Sequence, residues 1–110
     1  MVNTQQIASD VINALTPNLI VGARTLASYQ QAFAKMHASV VADIVEKAQE
    51  NQITEAEAEN LLQTTKSMIL VSIDTQDVIR GATRAKAANA VLKILQTAVN
   101  AATGFSIALV

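Results

Sequence analysis

The 110 residues are 51% apolar and 15% charged, with three aromatic side chains and a net charge of −1 at pH 7. A chain of this length forms one domain with a modest core, and a typical soluble domain has roughly 25% charged residues. The lack of cysteine excludes disulfides and thiolate metal sites. With so few charges a monomer has little polar cover, which favours self-association.

The first half of the chain predicts a short helix and then a long one. The short helix spans about residues 3–15 and ends before Pro17, which disfavours helical geometry in the residue preceding it. The long helix spans about residues 17–51. Its apolar side chains recur at heptad spacing and predict a hairpin seam, which consists of Leu19, Leu26, Tyr29, Phe33, Met36 and Val40.

A turn at residues 52–54 separates the second helix from a third. Thr54 and Glu57 have the spacing of a capping box, in which the hydroxyl and the carboxylate each accept a hydrogen bond from a free backbone N–H group. The third helix spans about residues 55–103, with a break at 72–75 kept open. We therefore predict an all-α fold in which a short N-terminal helix precedes a long antiparallel helical hairpin, and the hairpins pack into an oligomer.

The third helix is apolar on more than one side. An uncharged run, Ser67 to Ile73, lies in its first half, and apolar residues continue over a wide arc in its second half. An arc this wide predicts burial on two sides. We expect the outward positions to contact a neighbouring copy, and these positions are Leu70, Val71, Leu92 and Val99.

Acidic and basic residues are segregated along the chain. Residues 43–59 carry a net charge of −5, whereas the residues after Asp77 include four basic side chains and no acidic one. A rod with oppositely charged regions can attract copies of itself head to tail, and such heterologous contacts form filaments or sheets when they do not close into a ring. Solvated helix faces are the simpler interpretation of the same charges.

No residue pattern predicts catalysis, a metal site or a cofactor site, and we expect a protein that is not an enzyme. His37 is the single histidine, and the sequence identifies no partners for it in a zinc site or a catalytic triad. It can still respond to pH, because histidine titrates near neutrality. The basic cluster "RGATRAK" has no aromatic neighbours, which argues against a nucleic-acid partner.

The termini give no targeting signal. The first 15 residues lack a basic region followed by a continuous apolar one, so we expect no signal peptide and a cytoplasmic location. The uncharged tail, residues 94–110, is polar in places and shorter than the roughly 20 apolar residues of a membrane span. Membrane contact is therefore a minor alternative.

Four short stretches carry a family resemblance: "VNTQQIASDV", "ASYQQAFA", "KAQENQ" and "TTKSMILVSIDT". Through them, residues 2–75 resemble the structural proteins of R-bodies (the Reb, or killing-trait, family), which form coiled protein ribbons in some bacteria. The sequence departs from that pattern in the more charged "ITEAEAEN" and matches nothing after Gly81.

The resemblance implies homopolymerisation into a ribbon that extends in acid, with related subunits as further partners. It makes His37 and the carboxylates of residues 43–59 candidates for proton sensing, and the full set is His37, Asp43, Glu46, Glu50, Glu55, Glu57 and Glu59. We thus expect a structural, self-assembling protein that forms a filament, ribbon or sheet. Two alternatives stay open: a small helical-bundle adaptor or accessory protein that forms a closed oligomer, and a membrane-active helical protein.

Overall fold

The computed structural model describes residues 3–15, 24–76 and 84–109, and in the middle segment it describes the side chains of residues 30–72. Within these residues the chain is helical and contains no strand, which confirms the all-α prediction. The helices are α1 (Thr4–Leu15), α2 (Arg24–Gln49), α3 (Glu55–Gln76) and α4 (Arg84–Thr103).

The turn between α2 and α3 is built by local backbone and side-chain hydrogen bonds. Asn51 has a φ of 59°, a left-handed conformation that asparagine tolerates at the end of a helix. Gln52 N then donates to the Lys47 carbonyl oxygen at 2.8 Å. Thr54 N donates to Glu57 Oε1 at 2.9 Å, and Glu57 N donates to Thr54 Oγ1 at 3.2 Å. These last two bonds confirm the predicted capping box.

The expected third helix is described as α3 and α4, and residues 77–83 lie outside the described residues. No break occurs at 72–75, because α3 continues to Gln76. Threonine and serine in α3 are accommodated by bonds to the preceding turn, as where Thr65 Oγ1 donates to the Leu61 carbonyl oxygen at 2.8 Å.

Helix α4 packs against each of the other three helices, and α1 packs against α2 and α4. The chain does turn back after α2, but α2 packs more extensively against α1 and α4 than against α3. The expected hairpin of two long helices therefore does not describe the full arrangement, in which all four helices pack together. The core draws apolar residues from every helix, and its fully buried members include Val11, Leu15, Val41, Leu62, Ile69, Val91 and Leu95.

Residues 104–109 fold back over the end of the helices. Gly104 has a φ of 78°, where glycine avoids the strain that a Cβ atom would bring. The Asn100 side chain then holds Ile107 by two bonds, donating to its carbonyl oxygen at 2.9 Å and accepting from its N–H group at 3.0 Å. Glu55 accepts a hydrogen bond from Ser106 N at 2.6 Å, which joins this segment to the start of α3.

Among the described residues, no helix combines the length and the apolarity that crossing a bilayer requires.

Candidate self-association surface

The four expected interface positions divide into two groups. Val71 is 64% exposed and Leu70 is half-buried, whereas Leu92 and Val99 have no exposed surface. Leu92 and Val99 were expected to face outward, but they lie in the core of the single chain. The reason is that α1, α2 and α3 of the same chain all pack around α4, so its wide apolar arc is covered without a neighbour.

The expected hairpin seam also divides. Phe33 is 3% exposed and Val40 is half-buried, but Met36 is 42% exposed. Leu19 and the side chains of Leu26 and Tyr29 lie outside the described residues.

Met36 departs from the seam because the buried side of α2 is centred elsewhere. It contains Ala34, His37, Ala38, Val41 and Val45, all at most 2% exposed. The 3.6-residue period of the helix places these positions together on one side, which is roughly opposite Met36. The small side chains of Ala34 and Ala38 let the neighbouring helices approach α2 closely on this side, and Met36 is left facing away from it.

Among the side chains that the structure describes, four large apolar ones are exposed, and we call the surface that they form the α2–α3 face: Met36, Leu61, Met68 and Val71, with exposures of 42, 39, 45 and 64%. Met36 comes from α2, and the other three come from α3. Met36, Met68 and Val71 border a shallow groove of about 450 Å³, together with Thr64, Ser67 and Ser72. Its lining is almost entirely apolar.

The α2–α3 face arises because the apolar surface of α3 is wider than its buried side. Leu62, Thr65 and Ile69 point into the core and are at most 3% exposed. Leu61, Met68 and Val71 lie beside that buried side, and their i, i+7, i+10 spacing places them along one stripe of the helix. That spacing was the available signal for Leu61 and Met68, which were not among the expected interface positions.

A cluster of this kind binds weakly when it acts alone. Burying one exposed apolar side chain completely stabilises by about 1.5–3 kcal/mol. The side chains of the α2–α3 face are 39 to 64% exposed, so burying each of them gains only part of that free energy. Association costs at least about 4 kcal/mol in lost translational and rotational freedom. Contacts through this face alone are therefore marginal, and a repeated or enlarged contact is needed for a stable assembly.

His37 lies behind this surface, on the buried side of α2. Its side chain has no exposed surface, and neither Nδ1 nor Nε2 has a hydrogen-bond partner. Its ring packs edge-on against Phe33, with centroids 4.4 Å apart. Burial lowers the pKa of His37 from 6.5 to about 4, because an apolar environment disfavours the charged imidazolium. At neutral pH the ring is therefore uncharged.

The acidic residues proposed to accompany His37 lie apart from it, near the turn. Asp43, Glu46, Glu50, Glu55 and Glu57 are exposed, and Glu59 is half-buried. Several have structural partners: Glu57 forms the capping box, Glu55 accepts from Ser106, and Glu50 accepts from Gln52 Nε2 at 3.0 Å. Throughout the described segments, no three His, Asp or Glu side chains come together in a way that could hold a metal ion.

Comparison with known proteins adds no assignment. No family model, no curated protein and no solved structure matches the chain.

Proposed function

We propose that this protein is a structural subunit that assembles with copies of itself into a filament, ribbon or sheet, as its resemblance to R-body proteins implies. The observation that carries the proposal is the α2–α3 face, where the exposed side chains of Met36, Met68 and Val71 border one apolar groove. Adjacent exposed side chains of this size mark interaction sites more often than scattered ones do. The low fraction of charged residues, 15%, points the same way.

The proposal is tested by comparing the wild-type chain with Val71→Glu and Met68→Glu. A buried, unpaired carboxylate is costly, so either substitution should abolish assembly while leaving the fold unchanged, because both positions are exposed in the single chain. Gln63→Glu is the matched control. It introduces the same charge at an exposed position of α3 that does not border the groove.

Light scattering and negative-stain microscopy over a range of concentrations are the readouts. We expect extended particles for the wild-type chain and for Gln63→Glu, and monomers for the two variants of the α2–α3 face. A wild-type particle of one small, concentration-independent size would instead support the adaptor bundle. A wild-type chain that stays monomeric at all concentrations would contradict self-assembly.

A further inference from the structure

A second apolar groove lies between α1 and α4, with a volume of about 500 Å³. Small side chains make up part of its lining, among them Ala14, Ala90 and Ala98. The lining also contains two charged side chains, Asp10 on α1 and Lys93 on α4. We call this site the α1–α4 groove.

The α1–α4 groove and the α2–α3 face lie on opposite sides of the molecule. Helices α1 and α3 each pack against both α2 and α4 but make little contact with each other. Helix α1 lines the groove beside Ala90 to Ala101, and α3 packs against α4 and is joined at its start to Ser106. Two helices that pack against the α2–α4 pair with little contact between them flank that pair from opposite sides.

The two surfaces can be matched through their apolar side chains. On the α2–α3 face, Val71 and Met68 are 64% and 45% exposed along the border of a shallow groove, whereas the lining of the α1–α4 groove includes several alanines. Methionine is flexible and fills irregular apolar gaps well. Exposed large side chains on one surface and small side chains in a groove on the other suit a contact between successive copies.

One pair of charges on the two surfaces is also complementary. Asp43 is exposed and lies seven residues after Met36, on the same side of α2. Helices α2 and α4 pack against each other, and their last residues meet where Gln49 Nε2 donates to the Ala102 carbonyl oxygen at 3.3 Å, so the two helices run in the same direction. Measured back from that bond, Asp43 and Lys93 differ in height by about 4.5 Å, slightly less than one helical turn.

A sideways shift of one copy therefore brings the exposed Lys93 of the α1–α4 groove near the level of Asp43 on the next copy. An exposed ion pair of this kind contributes little affinity but can fix the register of a contact.

We propose that the α1–α4 groove of one copy receives the α2–α3 face of a second copy. This inference rests on the proposed function, and it specifies which surface of the neighbour the α2–α3 face meets. The contact joins two different surfaces on opposite sides, so each added copy offers a free groove at one end and a free face at the other. Such a heterologous contact extends without limit unless its rotation closes a ring.

A mixing experiment with two blocked variants tests this contact. Val71→Glu blocks the face and leaves the groove intact. Thr97→Arg blocks the groove and leaves the face intact, because Thr97 is exposed on the groove rim and an arginine there fills the space toward Asp10. Asn89→Arg is the control for Thr97→Arg, since Asn89 is an exposed residue of α4 that does not line the groove. Circular dichroism checks that each variant is folded.

We expect each blocked variant to be monomeric alone, and an equimolar mixture to form a 1:1 dimer of twice the 11.6 kDa monomer mass. Asn89→Arg should assemble like the wild-type chain. The inference is overturned if folded Thr97→Arg still assembles, or if the mixture stays monomeric. In either case the proposed function survives as long as the wild-type chain assembles and Val71→Glu does not.

Discussion

At the scale of single residues, His37 is the most unusual feature of the core. A buried polar group without a hydrogen-bond partner costs about 1–3 kcal/mol, and both ring nitrogens of His37 lack one. The ring gains contact with Phe33 instead. The residue therefore lowers stability at neutral pH, and it does so more strongly in acid.

We expect the chain to lose stability as the pH falls below 6.5. The pKa of His37 is about 4 in the folded chain and 6.5 as its ordinary value, so between these values the unfolded state binds more protons. Stability therefore rises with pH through this window and is fully present only above 6.5. The loss amounts to at most about 2 kcal/mol at pH 5. Urea denaturation at pH 7.5, 6.5, 5.5 and 5 measures it.

His37→Leu is the control for this pH dependence. Leucine is apolar and of similar size, so the variant should be at least as stable as the wild-type chain at pH 7.5 and should show a flatter profile between pH 6.5 and 5. If His37→Leu kept the full wild-type slope, the acid sensitivity would have to come from other groups.

At the scale of elements, the capping box is the feature that determines where α3 begins. Thr54→Ala removes the hydroxyl that accepts from Glu57 N, and loss of such a cap costs about 1 kcal/mol. Thr54→Ser keeps the hydroxyl and should keep most of the stability. Thermal or urea denaturation of the two variants compares them directly, and equal losses would show that the cap contributes nothing.

A second element-scale prediction concerns residues 104–109. Asn100→Ala removes both hydrogen bonds to Ile107, so this segment should separate from α4 more often. We expect hydrogen exchange at the Ile107 amide to become at least about tenfold faster. Asn89→Ala, at an exposed position of the same helix, should leave that exchange unchanged. An unaltered rate in Asn100→Ala would mean that Ile107 is held by its apolar contacts alone.

The ends of the helices were easier to predict from sequence than the segments against which each helix packs. Thr54 and Glu57 define a helix start through a spacing of three residues, so local sequence suffices. The fold-back of Ile107 onto Asn100 was not predicted, because a single asparagine near the chain end carries no pattern. Leu92 and Val99 were predicted to face outward from the wide apolar arc of their helix. Such an arc indicates that most sides of a helix are buried, but it does not show whether the burying residues belong to the same chain or to a neighbour.

The candidate surface was likewise predicted only in part. Val71 was named from its place in an uncharged run and is the most exposed large apolar residue among those described. Met36 was placed in the hairpin seam on its heptad position. It is exposed because the buried side of α2 follows His37 and Val41 instead. Heptad spacing identifies a stripe, but the stripe that is buried depends on where α1 and α4 pack.

At the scale of the whole molecule, the described residues form an elongated body with extents of 43, 24 and 17 Å. Its apolar α2–α3 face and its α1–α4 groove lie on opposite long sides. The proposed contact adds copies side by side, so the helices would run across the growing assembly. The acidic turn region and the basic α4 would then repeat along its length, each beside its equivalent in the next copy.

The measurement that tests self-assembly through the α2–α3 face most directly is the rate of maleimide labelling at single cysteines. The chain contains no cysteine, so Val71→Cys and Gln63→Cys each provide one reporter, and both positions are exposed in the single chain. As concentration rises and assemblies form, labelling at position 71 should slow by about tenfold or more. A tenfold slowing corresponds to a free energy of roughly 1.4 kcal/mol for exposing the buried cysteine. Labelling at position 63 should not change. Equal rates at the two positions under conditions where particles are visible would contradict the account.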